Sequence, residues 1–250
     1  MNHLSGAQRL ANAYRVMRHG ESKANQAGVI VSRIETDRGG DWGLSDLGRR
    51  QAAAAAQASG LPAGTVICSS DFSRARETAD IVREHLGAPG VIVTAALRER
   101  SFGDLEGKPV AGYARVWAAD EANARHQDHS YPEHSYPEHG HQDLGVEPAD
   151  AVLDRATALV ADLERRYSGR DILLVSHGDT LQILQAGFLR LDPARHRSLP
   201  HLGTAEIRRL DLGARAAPSR GTGKRAVQEL PGWTTRRHRR RRSCSTLTGR

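Results

Sequence analysis

Two strand-like runs, far apart in the chain, each end in an imidazole followed by a glycine. Residues 17–25 read Met-Arg-His-Gly-Glu-Ser-Lys-Ala-Asn directly after the short run Ala13-Tyr14-Arg15-Val16, and His177-Gly178 follows the stronger run Ile172-Leu173-Leu174-Val175-Ser176. In an open parallel sheet, ligands bind beyond the carboxyl ends of the strands. If these two strands lie side by side, both imidazoles and Arg18 converge on one small anionic group. That arrangement is the outline of phosphate chemistry with histidine as nucleophile.

The rest of the pattern fits such a sheet. Strands are predicted at 14–18, 65–69, 91–94, 171–176 and 204–211, with helices at 45–59, 72–86, 149–167 and 179–190. In the helix 149–167, Val152, Ala156, Leu159, Val160, Leu163 and Tyr167 recur at three- and four-residue spacing, the apolar stripe of a helix packed on a core. Ser45 is a predicted N-cap with Leu44 just before it, and Ser168-Gly169 closes the long helix. Strand–helix alternation predicts a three-layer α/β/α sandwich with a mostly parallel sheet and a small cap.

Length and charge set the domain plan. The chain of 250 residues accommodates one domain of about 200 residues plus tails. Residues 213–250 hold 11 Lys/Arg against the single acid Glu229; subtracting these from the chain's 36 and 29 leaves 25 basic and 28 acidic residues in 1–212. A mildly acidic catalytic domain, 1–212, followed by a basic, disordered tail, 213–250, is the expectation. Arg236-Arg237-His238-Arg239-Arg240-Arg241-Arg242 offers nucleic-acid contact as the weaker alternative. No aromatic interleaving accompanies it, which favours a self-repelling tail without a partner. No apolar stretch approaches the roughly 20 residues of a membrane span, and nothing resembles a secretory leader. The two cysteines, Cys68 and Cys244, make no metal-like spacing, and Cys68 reads as a buried strand thiol. A cytoplasmic location is expected.

Residues 126–143 stand apart. Ser-Tyr-Pro-Glu-His occurs twice in tandem, at 130–134 and 135–139, between two His-Gln-Asp triplets. Histidine and glutamate could ligate a metal, but prolines and the lack of periodicity predict a mobile loop without preformed geometry. A duplication in a tolerant surface loop is the preferred reading.

Four ordered blocks carry the chemistry: Arg18-His19-Gly20-Glu21-Ser22 with Asn25; Ser70-Asp71-Phe72-Ser73-Arg74-Ala75 with Thr78; Leu97-Arg98-Glu99 before Phe102-Gly103-Asp104-Leu105-Glu106-Gly107; and Ser176-His177-Gly178-Asp179. In this order and over about residues 14–211, the chain resembles the histidine phosphatase superfamily, which includes cofactor-dependent phosphoglycerate mutases and acid phosphatases. The resemblance implies His19 as a nucleophile attacking phosphorus as neutral imidazole. It implies Arg18 and Arg74 as planar forks gripping phosphoryl oxygens, Arg74 lying near a positive helix end. His177, if protonated, would donate to the same group. Glu21, Ser22, Asn25 and Gly178 complete the expected substrate pocket, and Asp179 restrains His177 or faces the far end of the substrate.

For the proton donor to the leaving alkoxide, the residues alone leave Glu99, Glu106 and Glu21 open; the resemblance implies Glu99 and treats Glu106 as scaffold. No metal or cofactor is required, because arginines and imidazoles carry the charge. Mutases of this family have a Phe-Thr-Gly-Trp segment where this chain reads Val29-Ile30-Val31-Ser32-Arg33, and an arginine pair in the cap where it has only the isolated Arg115 and Arg125. Phosphomonoester hydrolysis of a phosphorylated small molecule is therefore the first expectation, mutase chemistry the second, and non-catalytic phospho-ligand binding the third.

Overall fold

The alternating pattern folds as five strands and seven α-helices in the computed structural model, which describes residues 1–127 and 144–213. The strands are β1 (Ala13–Arg18), β2 (Val66–Ser69), β3 (Val91–Val93), β4 (Asp171–Ser176) and β5 (Ile207–Leu210). The helices are α1 (Lys23–Ala27), α2 (Ile34–Asp37), α3 (Asp46–Ala58), α4 (Ser73–Leu86), α5 (Tyr113–Gln127), α6 (Ala149–Arg166) and α7 (Gly178–Leu189). The sheet order is β3-β2-β4-β1-β5. Four strands run parallel and only the edge strand β5 is antiparallel.

Alternation along each strand explains the two outer layers. Met17, Ile67, Leu173 and Val175 face one side, where they meet Ala52 and Ala56 of α3 and Ala75, Ala79 and Val82 of α4. Tyr14, Val16, Cys68, Ile172 and Leu174 face the other, against Val160 and Leu163 of α6 and Leu181, Leu184 and Phe188 of α7. Successive side chains on a strand point to opposite faces, so a central strand covered on both sides reads as a continuous apolar run. β4 is that strand. Cys68 is free and buried, and burial pushes its thiol up to about 12.

Most boundaries fall where the sequence places them. Ser45 caps α3, its hydroxyl accepting from the Gly48 N–H at 3.0 Å. The last strand is shorter than expected, β5 starting at Ile207. Before it, Ala205 takes a φ of 58° and turns its N–H to the carbonyls of Arg18 and His19, which ends the ladder. Two short helices, α1 and α2, and the cap helix α5 escape the periodicity reading. α5 runs through His126 and Gln127, which the sequence assigns to the histidine-rich loop; the remainder of that segment and the basic tail beyond Gly213 lie outside the described residues. The cap is held by its own small core of Ile30, Phe102, Val116 and Val146. Among the described residues no helix is long and apolar enough to cross a membrane.

Two glycines allow the first motif to lie flat on α3. A Cβ on Gly48 would stand 2.0 Å from the Glu21 carbonyl oxygen, and one on Gly20 would stand 2.4 Å from that of Gly48. Both obstacles are backbone and cannot swing away. Gly48→Ala is therefore expected to lower stability by about 1–3 kcal/mol, the scale of overpacking, in a denaturant titration; an unchanged midpoint would show that the loop and helix separate freely.

Candidate active site

β1 and β4 are paired in parallel with Arg18 opposite Ser176. The next residues, His19 and His177, consequently leave the sheet at the same edge, their ring centroids 5.2 Å apart. Both are buried. Arg74, the second residue of α4, reaches between them: its Nε donates to Nε2 of His19 at 3.1 Å and to Nδ1 of His177 at 3.2 Å. Its Nη2 donates to the Val31 carbonyl at 2.9 Å, and the guanidinium lies over the Phe72 ring at 4.7 Å. The three groups form one cluster.

The hydrogen bonds fix the tautomers. Nδ1 of His19 faces the Gly20 carbonyl at 2.7 Å, so it carries the proton and Nε2 keeps its lone pair. For His177 the arginine occupies Nδ1, so Nε2–H donates to the Ser70 hydroxyl at 2.9 Å. Burial first, and then the nearby Arg74, push both imidazoles well below the usual histidine range; Arg18 adds to this at both, and His19 at His177. Desolvation disfavours the charged form of a base, and a neighbouring cation disfavours it further. The protonated His177 considered from the sequence is thus not the state of the site without ligand.

At the site two guanidinium nitrogens remain unsatisfied, as do Nε and Nη1 of Arg190 away from it. Nε of Arg18 and Nη1 of Arg74 are buried and without a hydrogen-bond partner among the described residues. Buried donors are nearly always paired, so these two mark where an anion sits. The positive ends of α4 and α7 open onto the same place, which favours negative charge there. α4 lacks a side-chain cap of its own; Asp37 of α2 supplies one, its carboxylate accepting from the Ser73 N–H at 2.5 Å and the Ser73 hydroxyl at 2.7 Å.

Glu99 stands beside this cluster on the loop after β3. Its Oε1 accepts from the Arg100 N–H at 3.0 Å and from the Thr180 N–H and hydroxyl, both at 3.3 Å. Burial and the nearby Asp179 raise its pKa, against the pull of Arg74. With Oε1 facing donors, Oε2 is the oxygen left to carry a proton. Arg155 of α6 fastens the loop from behind, donating to the carbonyls of Ala96 at 2.8 Å, Arg98 at 2.9 Å and Glu99 at 3.3 Å. An open cleft of about 410 Å³ adjoins Glu99, lined also by Ser32, Arg33, Ile34, Arg98 and Arg155.

The other expected residues divide. Glu21 and Ser22, expected in the pocket, both bond to the surrounding scaffold. The Glu21 carboxylate accepts from the Ser45 hydroxyl at 2.7 Å and from Nε2 of Gln26 at 3.1 Å, and Ser22 forms the capping box of α1 with Asn25. That box consumes the Asn25 Oδ1 and leaves its Nδ2 available. Glu106 is scaffold as expected, holding the Ser32 N–H at 2.9 Å and the Ser32 hydroxyl at 2.6 Å. Ser70, Thr180 and Arg155 were missing from the sequence assignment. Ser70 and Thr180 each flank a named residue, and their positions at a strand end and in a first helical turn were the available signal.

The chain as a whole has known relatives. A profile of the histidine phosphatase superfamily (branch 1) matches residues 15–219, and the chain belongs to that superfamily, as a phosphatase of the phosphoglycerate mutase-like type. Glucosyl-3-phosphoglycerate phosphatase of Mycobacterium tuberculosis is 32% identical over 205 residues, covering 76% of this chain and 81% of that protein. Metal-independent phosphoserine phosphatase of Arabidopsis thaliana is 30% identical over 180 residues, covering 72% of this chain and 68% of that protein. The solved structure of a mycobacterial glucosyl-3-phosphoglycerate phosphatase in complex with VO3 superimposes with a TM-score of 0.59 at 27% identity, over 81% of this chain and 99% of that one.

A second layer of charge lies behind the site. Arg100 is fully buried and forms two hydrogen bonds to Asp120 of α5, at 2.6 and 2.9 Å, and one to Asp179 of α7 at 3.2 Å. Asp179 also accepts from the Trp117 indole at 2.9 Å and lies 3.4 Å from Nε2 of His196. These contacts, rather than a link to His177, are what Asp179 makes; they dock the cap on α7. Arg100→Leu removes the cation facing two buried carboxylates, and a loss of about 3–5 kcal/mol is expected, read as the shift of a chemical unfolding curve. A loss below about 1 kcal/mol, the range of surface pairs, would mean that the cap is held by apolar contacts alone.

Proposed function

We propose that the protein hydrolyses phosphomonoesters through a phosphohistidine on His19, with no metal in the step. The observation that carries this reading is the buried imidazole of His19, whose Nδ1–H is held by the Gly20 carbonyl while Nε2 accepts from Nε of Arg74, a guanidinium whose buried Nη1 has no partner among the described residues. In the first half-reaction the Nε2 lone pair attacks phosphorus, the bond to the ester oxygen breaks, and that oxygen takes the proton from Glu99. In the second, the Glu99 carboxylate takes a proton from water, the water oxygen attacks phosphorus, and His19 leaves with its electron pair. One hard displacement becomes two easier ones.

Arg18 and Arg74 stabilise the transferring group without moving during the reaction, the source of most catalytic power at such sites, and His177 joins them once the entering anion draws a proton onto its Nδ1. Asn25 Nδ2 and the Gly178 N–H are further donors to it. The cleft beside Glu99 takes the leaving group and opens to water, which favours hydrolysis over retention of the phosphoenzyme for a mutase cycle. Phosphoserine and glucosyl-3-phosphoglycerate, the compounds named for relatives, lead the list of phosphomonoesters to assay.

His19→Ala is expected to abolish turnover, and rapid quenching of the native enzyme is expected to trap acid-labile, alkali-stable phosphate; undiminished turnover in the variant would sink the nucleophile. Arg74→Lys loses the planar fork and should cost about 10²–10³ in kcat, measured at saturating substrate. For Glu99→Gln, alkyl phosphates should slow by about 10²–10⁴, whereas aryl phosphates, whose leaving groups need no proton, slow far less. Equal slowing of both classes would assign the proton to another acid.

A further inference from the structure

Arg18 is anchored along one edge only. Its Nη1 donates to Nε2 of His201 at 2.8 Å and to the Leu202 carbonyl at 3.0 Å, while Nε is buried without a partner among the described residues. Because a guanidinium has no lone pair to offer, the imidazole must be the acceptor, and its own proton sits on Nδ1. The loop that carries His201 is fixed to the sheet. The Ala205 N–H donates to the carbonyls of Arg18 at 3.1 Å and His19 at 3.2 Å, and the Arg18 N–H donates to Glu206 at 3.3 Å. Gly178 packs alongside: a Cβ there would make ordinary contacts, 3.5 Å from the His201 ring and 3.8 Å from Arg18 Nε.

We propose that His201 is a positioning residue, whose Nε2 lone pair turns the Nε and Nη2 edge of Arg18 toward the phosphoryl group. The proposal rests on the preceding reading, in which that group lies among His19, His177, Arg18 and Arg74. Nη1 has two protons, and with His201 and Leu202 accepting one each, the guanidinium plane is fixed. The opposite edge then presents two parallel N–H groups, the arrangement that grips an oxyanion in bidentate fashion. One acceptor alone leaves the plane free to swing about that bond. The groups facing His201 are Arg18 of β1, Arg197 before it in the loop, Asp179 of α7 and Glu206 ahead of β5; burial and the two arginines lower its pKa more than the two carboxylates raise it. The acceptor lone pair is therefore present at neutral pH.

The test is calorimetric titration with inorganic phosphate, which needs no turnover, on the full chain and on variants of an exposed side chain that leave the core intact. His201→Phe should weaken phosphate binding about tenfold, the scale of one hydrogen bond to a charged group, and raise KM by a similar factor with the melting temperature unchanged. His201→Gln, whose amide oxygen accepts the same bond, should recover most of that loss. In an Arg18→Lys background there is no fork to orient, so adding His201→Phe should cost less than about twofold. Equal losses in both backgrounds, no loss in His201→Phe, or no recovery with glutamine would each overturn the proposal. Turnover surviving His19→Ala would instead overturn the phosphohistidine reading, so the two failures are distinguishable.

Discussion

The parallel ladder between β1 and β4 sets everything at the site, because it places Arg18 opposite Ser176 and so releases two histidines from one sheet edge. Register in a sheet is two-valued with respect to face: a slip of one residue sends every side chain to the wrong side. Here both faces of both strands are packed, so a slip would exchange the side chains of two differently shaped cores. Met17 and Val175 belong to the core on the α3 and α4 side, while Val16 and Leu174 belong to the core on the α6 and α7 side. Packing of the hydrocarbon interior therefore dictates that the imidazoles meet.

Arg74 turns that meeting into chemistry. A buried imidazole by itself is a satisfied core residue. Two buried imidazoles sharing one guanidinium proton are held neutral, since a cation within hydrogen-bond distance opposes protonation. Charges 4 Å apart interact by about 4 kcal/mol at an effective dielectric near 20, ample to keep a histidine neutral well below its usual range. The same cation then faces whatever anion enters.

The clustering of His19, Arg74 and His177 was legible in the sequence because they follow strand ends or open helices, where short motifs and the 3.6-residue period coincide. Glu99 lies in the loop beyond β3, where only the motif marked it. The scaffold bonds of Glu21 and Ser22 could not be read in advance, because polar residues beside such a motif look the same whether they face a ligand or cap a helix; their contacts depend on the positions of Ser45 and Asn25. The cap was opaque for a different reason. α5 has a weakly segregated face and buries Asp120 and the indole N–H of Trp117 against charged partners, so hydrophobic periodicity carries little of its signal. His201 was invisible because its contact with Arg18 spans more than 180 residues and depends on the left-handed turn at Ala205.

The placement of the two charge layers shows how the fold keeps its reactive side chains available. Arg100 follows Glu99 in the chain, and Asp179 follows Gly178; these neighbours, not the reactive groups, make the 3.2 Å link between the acid loop and α7. Arg155 and Thr180 hold the same loop largely by its carbonyls. Glu99 meets the scaffold through Oε1, and burial with the nearby Asp179 raises its pKa. A carboxyl fastened at both oxygens would be a poor acid, because donors on each would favour the ionised form. Asp179 acts oppositely on two neighbours: its charge draws in the cations behind the site and, across the loop, raises the pKa of Glu99. Structural ion pairing and acid tuning are thus the same electrostatic field seen from two sides.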